Sequence, residues 1–394
     1  RGLLRLELGR SRRMTLVLSA TERRLLPFVG LQGCVATLGG FAGVFAYAQG
    51  GMAATVRYAA LMLGSAALSI ALAYALGAVV RLRCATLLRA AFLVPAVLLW
   101  FADGRPDVLG LAFGLFLGLA WGGRHWLELG LLADAERDAY ATHATVLTVG
   151  ASLVTILVVT LLLQWGGERH APVYGLYALT SLVAAVFAAR GLPETPPIRL
   201  EAPWAVVTQK GFVACLPLFF LESGLFGVGQ VLGASGAVQA LGEASRYGWV
   251  ATAATVAGGI ALFALRRRRQ SHNRGRWMGW ACAGVALAFG LLGASSVWPW
   301  LYVLHLLLQS GVAPFWQASE QVLNQRTMDI HGALADRIVA RELTLGVFRL
   351  VVLAAFGFGT AGWSDLRVLQ LGAALMAAAA VAEYALGRAW LRHA

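Results

Sequence analysis

Charged residues are scarce in this chain. Asp, Glu, Lys and Arg make up 13% of the 394 positions, whereas hydrophobic residues make up 59%. A soluble domain carries about 25% charged residues, so a chain this apolar would aggregate unless lipid took the place of water around it. The longest stretches outside the apolar segments, 1–24, 190–210 and 324–340, are too short to bury a core. The composition therefore indicates a membrane protein and leaves no separate soluble domain to place.

Several motifs of catalysis and metal binding are also missing. The four cysteines are scattered without a CxxC pair, which excludes a disulfide framework and a thiolate metal site. The six methionines form no MxxxM pair, so a copper pathway is unsupported. The histidines lack HExxH spacing, and no G-x-x-x-x-G-K-[ST] loop is present to bind ATP. We therefore expect no cofactor, no metal and no enzymatic activity.

Long apolar runs recur along the whole sequence. A helix needs about 20 apolar residues to cross the hydrocarbon core, and lipid permits only helices or closed barrels. Strand-type alternation is absent. The sequence predicts an all-α polytopic membrane protein with twelve transmembrane helices at 25–48, 56–80, 84–102, 107–132, 141–165, 172–189, 211–235, 247–265, 277–296, 299–322, 341–361 and 366–388.

The basic residues are divided unequally between the two sides of these spans. With the N-terminus inside, the cytoplasmic segments hold 25 of the 32 Lys and Arg residues and the outer loops hold five. This asymmetry follows the positive-inside rule and predicts a protein of the cytoplasmic membrane with both termini in the cytoplasm. The run RRRRQSHNRGR at 266–276 is typical of a nucleic-acid patch in isolation. Between two spans, it is better interpreted as a topology anchor that contacts anionic membrane lipid, so we expect no nucleic-acid partner.

The chain divides into two halves of six spans. The proline-rich stretch GLPETPPIRLEAPW at 191–204 separates the sixth span from the seventh. Leu147-Thr148-Val149-Gly150 opens the fifth span, and Leu343-Thr344-Leu345-Gly346 opens the eleventh, at the corresponding point of the second half. The predicted organisation is an N-terminal segment (1–24), a six-helix bundle (25–189), a central cytoplasmic loop (190–210), a second bundle (211–388) and a short tail (389–394).

This architecture resembles the major facilitator superfamily. In that family the loop between helices 2 and 3 often carries G-x-x-x-D-R-x-G-R-[RK]; here Gly77 is followed by AVVRLRCATLLR, which places Arg81 at the Asp position and Cys84 at the second Gly. The stretch WGGRHWLELGLLADAERDAYATHATVLTVG is similar to an uncharacterised bacterial branch of the family. The resemblance implies a monomeric secondary transporter whose helices 1, 4, 7 and 10 line a central cavity.

Polar residues form stripes on two of these helices. Span 10 carries His305, Gln309, Trp316 and Glu320 within a narrow sector of the helix, and Pro314 can kink it. Span 4 carries Trp121, Arg124, His125 and Glu128 on one face. Such faces avoid lipid, since polar groups in hydrocarbon are costly. The alternative for Arg124 and Glu128 is a purely structural i,i+4 ion pair.

Single polar residues mark three other spans. Glu222 lies near the midplane of span 7, where a lone carboxylate is either protonated or paired; both states suit proton coupling, and a structural hydrogen bond is the alternative. Gln32 is the one polar candidate of span 1. Arg349 in span 11 snorkels toward the inner side, pairs with a carboxylate such as Glu320 or holds an anionic substrate. Glu383 in span 12 is expected at the membrane interface.

These observations predict a symporter or antiporter of a small solute, with protons as the candidate coupling ion. The residues expected to bind solute or protons are those of the two stripes together with Gln32, Glu222 and Arg349. Two other functions stay open at this point. An intramembrane enzyme or flippase would act on a lipid-like substrate, and a sensor or assembly protein would keep the fold without transporting anything.

Overall fold

The computed structural model describes residues 18–102, 105–187, 190–265, 268 and 273–392, and these residues form helices with no strand among them. Most of the predicted N-terminal segment and most of the 266–276 run lie outside the described residues. The helices are α1 (Ala20–Ala36), α2 (Leu38–Gly77), α3 (Cys84–Leu98, continued by a 3-10 turn at Leu99–Phe101), α4 (Pro106–Leu131), α5 (Asp134–Gly166), α6 (Ala171–Phe187), α7 (Pro203–Val207), α8 (Lys210–Leu241), α9 (Ala244–Leu265), α10 (Arg274–Ala294), α11 (Leu301–Thr327), α12 (Leu334–Gly359) and α13 (Asp365–Arg392).

The first two membrane crossings are joined by a glycine pair. The helical path from α1 through α2 is broken at Gly50 and Gly51, and Gly51 has φ 63° and ψ −153°. That backbone conformation is accessible essentially only to glycine. The break divides the stretch into one crossing before Gly50 and a second after Gly51. Together with the other long helices, this gives twelve crossings within the described residues, as predicted.

Length and hydropathy single out eight of the described helical stretches as membrane spans, the first being Ala20–Gly77 with its two crossings. Of the remaining three crossings, α6 has 17 residues and is apolar but short. The other two, α11 and α12, carry polar and charged residues within the helix. Those residues bear on the site described below.

Several helices begin earlier than the apolar runs suggested. Helix α5 begins at Asp134 rather than at 141, and α12 begins at Leu334 rather than at 341. In both cases polar turns continue the helix beyond its apolar part, and Asp336 lies in the first turn of α12, where a carboxylate is favourable. As a consequence, Arg341 lies two turns inside α12 and not at its start.

Helices α1–α6 and α8–α13 form two six-helix halves. Across their boundary α2 packs against α8 and α12, and α5 packs against α9. Within the first half, glycines of α4 pack directly on α2: a Cβ at Gly114 or Gly118 would overlap the carbonyl oxygens of Met62 or Ala66. These small residues therefore allow the two helices to approach closely.

The loop between the two halves is hydrogen-bonded to each of them. The Ile198 amide donates to the Leu82 carbonyl at 2.8 Å, and the Cys84 amide donates to Thr195 Oγ1 at 3.2 Å. These contacts fix the loop to the α2–α3 connection of the first half. Three residues later, the amides of Glu201 and Ala202 donate to the Asp336 carboxylate at 3.0 and 2.8 Å, which fixes the loop to α12 of the second half.

Candidate functional site: a charged cavity between the two halves

A cavity of about 340 Å³ lies between the two halves of the molecule. Its walls come from α1, α2, α4 and α5 on one side and from α8, α11 and α12 on the other. Nine of the eleven predicted site residues line it: Gln32, Trp121, Arg124, His125, Glu128, Glu222, Trp316, Glu320 and Arg349. Lining residues that the sequence did not single out as site residues include Thr145, Thr148, Gln317, Gln325, Arg341 and Glu342.

On the first half, the polar residues form a closed network. Arg124 Nε donates to Glu128 Oε1 at 2.5 Å, and Arg124 Nη1 donates to Gln32 Oε1 at 3.2 Å. Tyr140 OH donates to the same Glu128 oxygen at 2.8 Å. The Arg124 guanidinium also lies 4.7 Å from the ring centroid of Trp121, close enough for a cation–π contact. Arg124 and Glu128 are therefore paired with each other. Trp121, which contacts the Arg124 guanidinium, forms part of the cavity wall.

On the second half, Arg341 is the central residue. Its Nη2 donates to both Glu222 oxygens, at 3.0 and 3.1 Å, and its Nη1 donates to Glu342 Oε1 at 2.7 Å. Only 2% of Arg341 is exposed. The Glu222 carboxylate is thus paired, one of the two states expected for it. Sequence reasoning missed Arg341 because it placed this residue at the inner edge of the span among the topology-determining arginines.

Among the described residues, a contact between His125 and Glu342 joins the two halves at the cavity. His125 Nδ1 on α4 lies 3.3 Å from Glu342 Oε1 on α12. Because Glu342 also accepts from Arg341, the contact connects the charged networks of both halves. A change in the spacing of α4 and α12 would therefore alter the surroundings of both networks at once.

Two charged side chains in the cavity lack close partners of opposite charge. Arg349 makes no hydrogen bond among the described residues: its Nε is buried without an acceptor, and its Nη2 is 3.9 Å from Glu222 Oε1. Its guanidinium lies 4.8 Å from the ring centroid of Phe226. For Glu320, no hydrogen bond or ion pair exists within the described part of the chain. The amide of Gln325 is buried, and both of its polar atoms lack a hydrogen-bond partner among the described residues.

Glu383 lies deeper in the protein than its position in span 12 suggested. Its side chain accepts a hydrogen bond from Trp316 Nε1 at 3.2 Å, and only 1% of the residue is exposed. Its depth relative to the membrane interface stays a prediction. Helix α13 turns this face toward α10 and α11, so Glu383 is packed behind the cavity wall and holds Trp316 in place.

His305 and Gln309 do not line the cavity. His305 Nδ1 lies 2.7 Å from the Ala288 carbonyl oxygen on α10, and its ring packs near those of Tyr302 and Phe289. Gln309, one turn further along α11, is half-buried. The two residues share a helix sector with Trp316 and Glu320, but they lie on the other side of Pro314. There α11 packs against α10, whereas its later turns face the cavity.

Polar contacts join the halves on both sides of the cavity. At the predicted outer side, Tyr47 OH donates to Asp365 Oδ2 at 2.5 Å, and Glu168 accepts from the amides of Ala244 and Ser245 at the start of α9. At the predicted inner side, Arg137 donates to both Asp329 oxygens, at 2.9 and 3.3 Å. The cavity thus lies between two sets of contacts that join the halves.

The fold is similar to solved structures of membrane transporters. The nucleoside transporter NupG matches with a TM-score of 0.60 and 14% identity, over 94% of this chain and 99% of that one. The human organic anion transporter MFSD10 (TETRAN) matches at 0.61 and 16%, over 93% and 99%. The E. coli fucose:proton symporter FucP matches at 0.59 and 14%, over 93% and 98%.

No protein-family model and no curated protein matches the sequence. The structural likeness nevertheless extends over nearly the whole chain in each comparison. The chain is an all-α, multi-pass membrane protein with the fold of the major facilitator superfamily.

Proposed function

We propose that this chain is a secondary transporter that moves a small solute across the membrane by alternating access. The observation that carries the proposal is the charged cavity between the halves, with cross-half contacts on both of its sides. Binding at the interface of two repeats is the general arrangement for transporters of this architecture. Breaking one set of contacts while keeping the other would open the cavity to one side at a time.

The size and chemistry of the cavity weigh against the two other functions. A volume of about 340 Å³ lies at the lower end of the range for small-molecule sites and is too small for a phospholipid, which disfavours a lipid enzyme or flippase. Buried charges are costly to keep inside a membrane. Their concentration at one cavity favours transport over a sensor or assembly role, for which a filled interface would suffice.

We further propose that the transport is coupled to protons and that Glu320 carries the proton. Glu222, the carboxylate that the sequence favoured, is held by two hydrogen bonds from Arg341, so its acceptor oxygens already have a charged partner in the protein. Glu320 has no such partner in the described part of the chain. A carboxylate without a partner in a buried site binds a proton more readily than a paired one.

Replacing Glu320 by Gln is expected to abolish proton-driven accumulation by proteoliposomes while leaving solute exchange intact, because the amide keeps the shape but cannot release a proton. Uptake of a solute panel with and without an imposed pH gradient measures this. Glu194→Gln serves as the matched control, since the Glu194 side chain is 93% exposed. Unchanged gradient-driven uptake by Glu320→Gln would exclude Glu320 as the carrier, and Glu222→Gln would then be tested in the same assay.

We also propose that the protein is a monomer in the bacterial cytoplasmic membrane, as the family resemblance implies, and that both termini lie inside, on the strength of the arginine asymmetry. Reporter fusions check this orientation. A fusion after Gly167 is expected to report an outer location, and one after residue 270 an inner location. A reversed signal at either position would contradict the proposed topology.

A further inference from the structure

The arginines of the cavity differ in how completely they are paired. Arg124 and Arg341 each donate to a carboxylate oxygen at 2.5 to 3.1 Å. Within the described part of the chain Arg349 donates to no carboxylate, and its nearest carboxylate, Glu222, already accepts two hydrogen bonds from Arg341. A guanidinium offers five N–H donors, so Arg349 has donors to spare at the cavity wall.

Glu320 is the cavity carboxylate that, like Arg349, has no close partner among the described residues. The charged groups that act on it are the carboxylates of Glu222 on α8 and Glu383 on α13 and the guanidinium groups of Arg341 and Arg349 on α12. The thiol of Cys282 on α10 is a further titratable neighbour. Neither Glu320 nor Arg349 has a salt-bridge partner closer than 3.9 Å among the described residues, and both side chains line the same cavity.

The aromatic residues of the cavity wall are suited to contact the carbon skeleton of an organic solute. Trp121 comes from the first half, and Trp316 and Phe226 come from the second. Trp316 is oriented by its hydrogen bond to Glu383. Apolar and aromatic walls with a small number of placed polar groups are typical of small-molecule sites.

We propose that the solute is a small organic monoanion, that Arg349 binds its anionic group, and that it travels together with a proton on Glu320. The inference rests on the proposed transport function and names its substrate class. When Glu320 takes up a proton, the negative charge that partly compensates Arg349 is lost, and an anion can replace it. Proton and anion therefore favour each other's binding, and this coupling is reciprocal. One proton with one monoanion makes the transported pair electroneutral.

The binding test uses the purified full chain and four monoanions: acetate, lactate, benzoate and nicotinate. Each is compared with its own amide, and benzylammonium and phenylalanine represent cations and zwitterions. Thermal shift is measured at pH 5.5 and pH 8. At least one acid is expected to stabilise the protein more than its amide does, with an apparent affinity at least tenfold higher at pH 5.5. If no acid exceeds its amide, or if benzylammonium or phenylalanine stabilises the protein instead, the proposed substrate class is wrong.

Variants of Arg349 and Glu320 separate anion binding from proton binding. Arg349→Gln is expected to lose the anion-dependent shift at both pH values, whereas Arg349→Lys retains a weakened one. Glu320→Gln is expected to bind the anion at pH 8 as tightly as the unmodified protein does at pH 5.5, without pH dependence. Arg246→Gln is the control, because Arg246 is exposed at the predicted outer side. Anion binding that keeps its pH dependence in Glu320→Gln would overturn the pairing of proton and anion.

Flux measurements distinguish failure of this inference from failure of the proposed function. Proteoliposomes are given radiolabelled lactate or benzoate, and protein-free liposomes supply the background. A pH gradient is expected to drive accumulation, and a potassium–valinomycin potential at equal pH is not. Accumulation of a cation or a zwitterion instead would overturn the substrate class and leave transport standing. Anion binding without flux of either anion would support the site and contradict transport.

Discussion

Arg341→Ala is expected to destabilise the protein by about 3–5 kcal/mol, the cost of removing one partner of a buried ion pair. The reason is that two carboxylates, Glu222 and Glu342, lose the cation they share. The expected result is a lower thermal midpoint, a smaller monodisperse fraction in detergent and no transport by the material that survives. Fluorescence-detected size exclusion and a thermal unfolding scan measure these effects.

Two further variants make this prediction specific. Arg83→Ala removes a guanidinium that is 56% exposed and 3.9 Å from its partner, and the loss is expected to cost less than about 1 kcal/mol. A double change of Arg341 to Gln and Glu222 to Gln removes both charges and is expected to recover part of the stability lost in Arg341→Gln alone. Equal midpoints for Arg341→Ala and Arg83→Ala would show that the buried pair contributes little.

Gly114→Val is expected to prevent normal packing of the first half. A side chain at this position of α4 meets the Ser65 hydroxyl and the Met62 carbonyl of α2. The Met62 carbonyl belongs to the backbone and cannot avoid the new side chain by changing rotamer, so α2 and α4 must move apart. We expect a loss of about 3 kcal/mol, the upper part of the range for overpacked cores, measured as recovered folded protein and as thermal midpoint.

Gly150→Val is the matched control for this change. Gly150 lies on a helix, α5, and a Cβ there meets no atom of the described residues within 4 Å. The two variants add the same side chain to a helical glycine, so they share the change in helix propensity and differ in available space. Comparable losses from both would mean that propensity, and not the contact between α2 and α4, determines the effect.

The fold could be predicted from the sequence because its signals are local. Each crossing needs only an apolar run, and the arginine asymmetry constrains the order of the crossings. Pairs within one helix were equally accessible: Arg124 and Glu128 are four residues apart, and they meet as that spacing predicts. The resemblance to a known family supplied the expectation that several helices converge on one cavity.

Relations between helices were not accessible in the same way. Helical spacing gives the direction in which His305 points. It does not give the neighbouring helix that His305 faces at that depth in the membrane. That neighbour is α10, which supplies the Ala288 carbonyl. Arg341 was missed because hydropathy alone cannot say that a polar turn continues a helix. Its pairing with Glu222 joins residues 119 positions apart, and no local pattern encodes a contact of that kind.

The doubly bound central loop limits how far the halves can move apart. Only Arg199 and Leu200 lie between Ile198, which is bonded to Leu82, and Glu201, which is bonded to Asp336. A fully extended chain spans roughly 3.3–3.6 Å per residue, so the three steps from Ile198 to Glu201 reach about 10–11 Å. The loop therefore acts as a short tether between the two halves at this end of the molecule. A rocking motion that separates Leu82 from Asp336 by more than the loop can span must first break one of these two attachments.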